Sequence, residues 1–207
     1  MATELGIWNL ALSHLGRDAN VSSPTESSAE AAYCRQFYAT ARDQLLAMHA
    51  WNFATKRIAL ALLDNDVDSW AFSYARPADM LEPVALLLPG STDDTDAQDY
   101  VQELNGEDAR VIRTNVEDAV LKYTKLVTDP TRFTPLFAMA LSFLLAYYMA
   151  GPLTHDEKKQ ASLFKMAMSL LGKASSNDAN GQMNELYTNG YVPDLTGRTA
   201  VSQDADE

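Results

Sequence analysis

The chain contains 207 residues, of which 47% are hydrophobic and 21% are charged. These proportions are close to those of ordinary globular proteins and argue against wholesale disorder. A chain of this length buries one core and is short for two independent domains, so one domain is expected. The formal net charge of -12 argues against a surface that grips a phosphate backbone, because such a surface needs clustered Lys and Arg. The single cysteine, Cys34, leaves no internal disulfide framework and is expected to be a packed thiol.

Helices are predicted at both ends of the chain. Apolar residues recur at helical spacing from Leu5 to Leu15 and again beyond a loop that ends near Thr25. Near the other end, an almost unbroken apolar run stops at Gly151-Pro152 and a further helical pattern follows it. The predicted helices span about residues 3–16, 26–49, 132–151 and 154–173.

The middle of the chain, about residues 52–128, is predicted to be rich in strands. Residues 51–60 alternate between aromatic or β-branched and polar side chains, which favours an extended segment. The compact apolar run at 84–88 fits either a strand or the end of a helix. Asn105-Gly106 is predicted to be the tight turn of a hairpin. The other strands are predicted at residues 70–74, 100–104, 110–114 and 120–127.

These elements predict an α+β fold that is mainly helical. A helix bundle is expected from both chain ends, with a small antiparallel β-sheet from the middle segment. We expect a single domain over residues 1–175. The polar composition of residues 176–207 predicts an extended C-terminal tail that docks on a partner or is disordered.

Neither a membrane span nor a secretory signal is expected. The apolar run at 136–150 falls short of the roughly 20 residues that cross a bilayer, so a helix buried by its neighbours is predicted. The first residues contain Glu4 and lack the basic stretch of a signal peptide, which indicates that the protein is made in a cytoplasm.

No catalytic, cofactor-binding or metal-binding residues are predicted. The three histidines lack the paired spacing of a metal site, and the glycine-rich motifs that hold phosphate are absent. Asp64, Asp66 and Asp68 have the alternate spacing of a calcium loop, but Val67 stands where the turn glycine is needed. No cofactor is therefore expected.

Two segments are candidate partner contacts, chosen because their composition predicts exposure. One is an acidic loop at residues 91–98, the least structured interior stretch by composition, and the other is the set of apolar residues within the polar tail. The candidate residues are Asp93, Asp94, Asp96, Asp99, Leu186, Tyr187, Tyr191, Val192 and Leu195.

A succession of short motifs runs through residues 1–175, and the order of these motifs carries a family resemblance. They are the helix from Leu5 to Gly16, ARDQLL at 41–46, WNFATKR at 51–57, WAFSYARPAD at 70–79, YTKLVTDP at 123–130, FTPLF at 133–137, LA at 145–146 and GPLT at 151–154. In this order they resemble the tail tubular protein A family, the head-to-tail connector adaptors of tailed phages. The individual motifs are packing signatures.

The resemblance implies a structural virion protein and not an enzyme. Proteins of this family form a ring, expected here to be a homododecamer, with the portal protein on one side and a nozzle or tail tubular B-type protein on the other. Viral genome DNA passes through the lumen without specific binding during ejection. An anionic lumen suits that task, because like charge repels the DNA.

Two other functions stay open at this point. The first is a head-completion stopper or an assembly factor of the same particle, which has a similar helical composition. The second is a phage-encoded hydrolase that uses Asp79 and Glu82 with His49, which requires the three side chains to converge in one pocket.

Overall fold

The computed structural model describes residues 2–17, 20–91 and 94–187; the side chains of residues 95 and 182–187 lie outside the described part. Four α-helices and seven β-strands make up the described fold, which is mixed α+β. In chain order they are α1 (Glu4–His14), α2 (Ala29–Ala47), β1 (Thr55–Ala59), β2 (Leu62–Leu63), β3 (Phe72–Ala75), β4 (Met80–Leu87), β5 (Tyr100–Leu104), β6 (Arg110–Thr114), β7 (Val120–Lys125), α3 (Pro135–Thr154) and α4 (Glu157–Tyr187).

Helix α3 lies at the centre of the larger core and packs against α1, α2 and α4. It begins at Pro135, later than predicted, because the Thr134 hydroxyl accepts a hydrogen bond from the Phe137 N–H and caps the helix there. The predicted stop at Gly151-Pro152 is wrong: both residues lie in the last turn. The helix ends instead at His155, whose φ of 52° is left-handed.

An aromatic cluster joins the end of α2 to α3. The Trp51 ring is fully buried, its Nε1–H donates to the Leu45 carbonyl at 3.0 Å, and its centroid lies 5.0 Å from that of Phe137. Phe53 and Phe133 pack on the same Phe137 ring. The predicted extended segment at 51–60 is wrong in its first half, since Asn52–Ala54 forms one 3-10 turn before β1 begins.

Cys34 lies on α2 inside the same core. Its Sγ is 3.5 Å from the Met149 Sδ, and burial raises the pKa of the thiol to about 12. The thiol is therefore protonated at neutral pH and unreactive, which agrees with the prediction of a packed cysteine.

The strands form two antiparallel sheets, where one small sheet was predicted. One sheet has the order β1-β7-β4 and the other β2-β3-β6-β5. Residues of both sheets make up a second, smaller core. Its buried members are Tyr74, Met80, Leu86, Ile112, Val116, Ala119, Leu121 and Tyr123. Local periodicity shows which face of a strand is apolar but not which strand pairs with it, so the division into two sheets was missed.

Several strand predictions are confirmed and one turn is corrected. The bounds of β5 and β6 are those predicted, and the ambiguous run at 84–88 lies mainly in a strand, β4. The hairpin between β5 and β6 is not a tight turn at Asn105-Gly106. The Asn105 N–H donates to the Ala109 carbonyl across a wider loop, and Asp108 adopts the left-handed φ of 60°.

Helix α4 continues to Tyr187, well beyond the predicted end at residue 173, so the first residues of the predicted tail are helical. Tertiary contacts override the polar composition there. Ala174 is buried, and the Asp178 side chain is only 7% exposed. The Asp178 carboxylate accepts a hydrogen bond from the Asn52 N–H at 3.0 Å, and its Oδ2 lies 3.4 Å from the His49 Nε2.

Replacing Asp178 with alanine is expected to loosen the distal part of α4. The contact between the buried Asp178 carboxylate and the exposed Asn52 contributes on the order of 1 kcal/mol, so we expect amide exchange beyond Gly172 to speed up roughly fivefold. Hydrogen exchange with mass spectrometry measures this change. Asn177→Ala, at the exposed neighbouring position, is the matched control. Equal exchange in both variants would show that Asp178 does not hold the helix in place.

Candidate functional site

The three-stranded sheet has a carboxylate, Asp79, that binds three side chains. Asp79 precedes β4, and its Oδ1 accepts a hydrogen bond from the Tyr123 hydroxyl at 2.6 Å. Its Oδ2 accepts one from the Lys56 ammonium at 3.1 Å and lies 3.6 Å from the Lys125 Nζ. The Tyr123 hydrogen bond, together with the two cations, lowers the pKa of Asp79 below its ordinary value of 3.8. Burial and the bond to Asp79 raise the pKa of Tyr123.

A second carboxylate, Asp94, binds two cations on neighbouring strands of the same sheet. Arg57 on β1 and Lys122 on β7 lie directly opposite each other in the strand register. Like charges in that position repel each other. Asp94 binds both, with its Oδ1 at 2.8 Å from the Arg57 Nη2 and its Oδ2 in contact with the Lys122 Nζ.

The acidic segment that was predicted to be the least structured interior stretch is attached to the sheet. Asp94–Asp96 forms one turn of 3-10 helix, and the Gln98 N–H donates to the Leu86 carbonyl of β4 at 2.7 Å. The prediction was wrong for this part because composition does not show that Arg57 and Lys122 meet Asp94.

Only some of the other candidate contact residues lie within the described part of the chain. Asp96 and Asp99 are exposed, and the Asp99 carbonyl accepts a hydrogen bond from the Thr114 hydroxyl at 2.8 Å. The backbone of Leu186 and Tyr187 lies in the last turn of α4, and their side chains lie outside the described part. Asp93, Tyr191, Val192 and Leu195 also lie outside the described residues.

The four-stranded sheet buries a guanidinium group, Arg113 of β6, which is 1% exposed. Its Nη2 lies 2.7 Å from the Asp66 Oδ1, and its Nε is 3.4 Å from a Glu103 oxygen, an ion-pair distance without hydrogen-bond geometry. Asp66 also accepts the Gly106 N–H at 2.9 Å, and this bond lowers the pKa of the Asp66 carboxyl. Asp66, which the sequence places in a calcium-like spacing, thus binds the β2–β3 loop to the β5–β6 hairpin.

The three residues of the hydrolase alternative have separate partners. His49 contacts Asp178 and the Trp51 ring. Asp79 is bound by Lys56 and Tyr123, and Glu82 lies at a groove beside β5. Within residues 2–17, 20–91 and 94–187, no group of three or more His, Cys, Asp or Glu side chains is arranged to hold a metal ion.

The groove beside β5 is the feature that sequence reasoning missed. It has a volume of about 330 Å³ and is lined by residues of β4, β5 and β6 and by Arg76. The residues that line it are Arg76, Leu81, Glu82, Gln102, Glu103, Leu104 and Arg110. Its charges are mixed, and Leu104 is 58% exposed. The alternating pattern of β5 is visible in the sequence, but its position at the edge of a sheet is not.

No protein-family model and no curated protein matches this chain.

Among the described helices, α3 is long and apolar enough to cross a membrane by length and composition alone. Its mean hydropathy is 1.7, and 56% of the apolar window is buried inside the fold. Ser142 within it donates to the Met139 carbonyl at 2.7 Å and contacts His14, whose ring stacks on Phe143. Burial lowers the pKa of His14. A central helix covered by three others is also the pattern of a core helix in a globular protein.

Replacing Asp79 with asparagine is expected to flatten the acid dependence of stability. The pKa of Asp79 is lowered in the folded state, so its contribution is present above about pH 4 and is lost as the pH falls through the folded pKa. We expect Asp79→Asn to be less stable than wild type at about pH 7 and to lose less stability on acidification to about pH 3. Denaturant midpoints across this range measure the difference.

Glu117→Gln serves as the control for Asp79→Asn, because Glu117 is an exposed carboxylate between β6 and β7. The control is expected to follow the wild-type profile. Parallel pH profiles for wild type and Asp79→Asn would show that the Tyr123 and Lys56 contacts do not stabilise the fold.

Proposed function

We propose that the chain is the structural subunit of a head-to-tail connector adaptor ring in a tailed phage. In this proposal it is a virion protein of the tail, without catalytic activity. It binds the portal protein on one side and a nozzle or tail tubular B-type protein on the other. The ring is a homododecamer whose lumen lets DNA pass without specific binding.

The observation that carries the proposal is the separation of the chain into a helical part and a strand-rich part, each with its own core. The two ends supply the helices around α3, while residues 55–125 form a strand-rich part with its own core. A connector subunit needs both parts, because a helix bundle forms the ring wall and the strands project toward neighbours. The motif succession from the sequence fits this division, since the motifs at 51–57 and 133–137 lie where the chain passes between the two parts.

The site chemistry favours an assembly role over an enzyme. Two carboxylates of the strand-rich part with lowered pKa values, Asp66 and Asp79, are held by cations or backbone groups that bind one strand or loop to another. A general acid or base needs a pKa moved toward neutrality, and both of these are moved away from it. The net charge of -12 supports passage of DNA rather than its capture.

The test is the mass of the purified protein with and without the portal protein of the same phage, by native mass spectrometry. We expect a ring of twelve copies alone or a complex of fixed stoichiometry with the portal. A chain that stays monomeric in the presence of portal would overturn the proposal. To distinguish the connector from a transient assembly factor, the chain is quantified in purified particles, where a resident connector is present at the stoichiometry of the ring.

A further inference from the structure

The two sheets leave four strand edges without a strand partner in the described part of the chain, and three of them are protected. Strand β2 has only two residues. Strand β4 contains Pro83 and two register shifts. Strand β1 presents Lys56 and Arg57, whose charges discourage pairing with another basic edge but not with an acidic one. Short length, proline, bulges and basic side chains are the devices that keep an edge from pairing indiscriminately.

Strand β5 lacks most of these devices. Its five residues contain no proline, and its register with β6 has no shift. Because the Asn105 N–H donates to the Ala109 carbonyl, the alternation of an antiparallel pair turns the backbone groups of Gln102 and Leu104 away from β6. The edge therefore presents the N–H and C=O groups of two alternate residues to a potential strand partner.

Strands β5 and β1 each carry an exposed apolar residue on the face that also bears residues of the second core. Leu104 follows Gln102 at a spacing of two, so it shares the face of the core residue Ile112. Ile58 on β1 is 39% exposed and lies opposite the core residue Leu121. A strand from another molecule on either edge would cover an apolar side chain.

The surroundings of the two edges have opposite charge. Around β5, the hairpin and the loop bound to it carry more carboxylates than guanidinium groups. The carboxylates are those of Asp64, Asp66, Asp68, Glu103, Glu107 and Asp108, and the guanidinium groups are those of Arg110 and Arg113. Around β1 the balance is reversed although the chain is acidic as a whole. There are four cations around β1 and two carboxylates: the cations are Lys56, Arg57, Lys122 and Lys125, and the carboxylates are Asp79 and Asp94.

We propose that the β5 edge of one copy pairs with the β1 edge of the next copy in the ring, so that the two sheets join across the subunit boundary. This inference rests on the proposed function. The charge difference selects β1 over a second β5, because two acidic edges repel each other. Different edges on the two sides of the contact make it head-to-tail, which is the type that closes into a ring. Ile58 and Leu104 become buried at each boundary, and every copy makes two such contacts.

Charged substitutions on the two edges test this pairing in the full-length protein with portal present. We expect Leu104→Asp and Ile58→Asp each to abolish ring formation, because a carboxylate is then placed in the joined core. Met166→Asp on α4 is the matched control, since Met166 is 47% exposed and lies away from both edges in the chain. Its ring is expected to persist. Circular dichroism and thermal unfolding establish that each variant is folded.

Cross-linking identifies the partner edge independently of any loss of assembly. Copies with Ile58→Cys are mixed with copies with Leu104→Cys and treated with a short bis-maleimide; Cys34 stays in place because it is buried. We expect a dimer from the mixture and none from either variant alone. A dimer from Leu104→Cys alone means that β5 pairs with β5, and a cross-link from β5 to portal or nozzle means that another protein occupies the edge. Either result overturns the inference.

Failure of this inference is distinguishable from failure of the proposed function. If wild type forms the ring but Leu104→Asp and Ile58→Asp do so equally well, the connector function stands and the edge pairing is wrong. If wild type forms no ring and no portal complex, the connector function itself fails, and the edge pairing fails with it.

Discussion

Helix α3 is apolar on almost its whole circumference. The other helices of the helical part are therefore arranged so that they cover it. Each large side chain that leaves water contributes about 1.5–3 kcal/mol, so the helix is stable only when it is covered on several sides. The chain meets this need with α1, α2 and α4, taken from both of its ends. The Trp51 cluster then fixes where the chain leaves the helices, because its ring packs on Phe137 of α3.

The strand-rich part is held by polar contacts as much as by its core. Among the described residues the second core has eight buried members, and Arg113 and Asp79 bind neighbouring elements to one another around it. A buried guanidinium such as Arg113 is costly unless it is paired, so Asp66 is needed in the native arrangement. The Asp79 carbonyl also accepts the Leu126 N–H, which ties the start of β4 to the chain that leads from β7 toward α3.

In the proposed function a ring subunit needs a stable body and an edge that binds the next subunit. The helical part and the strand-rich part meet these two needs. The helical part covers α3 with three other helices. The strand-rich part keeps an unprotected edge at β5, and such edges are normally avoided in proteins that remain monomeric. The contrast between a basic β1 side and an acidic β5 side gives the subunit a direction, which a head-to-tail ring requires.

Periodicity and composition were enough to predict the features that depend on local chemistry. The apolar run of α3, the bounds of β5 and β6 and the packed state of Cys34 follow from periodicity and composition. The α+β class follows from them as well, because helical and alternating periods occupy different parts of the chain.

The features that depend on contacts between distant residues could not be predicted from local patterns. The split into two sheets, the attachment of Asp94 to Arg57 and Lys122, and the continuation of α4 past residue 173 all depend on such pairs. The Asp178–Asn52 contact spans 126 positions and stabilises a helix in a segment whose composition favours an irregular tail. Periodicity reports which face of an element is apolar. It carries no information about which distant partner meets that face, because a contact energy depends on the pair and not on either residue alone.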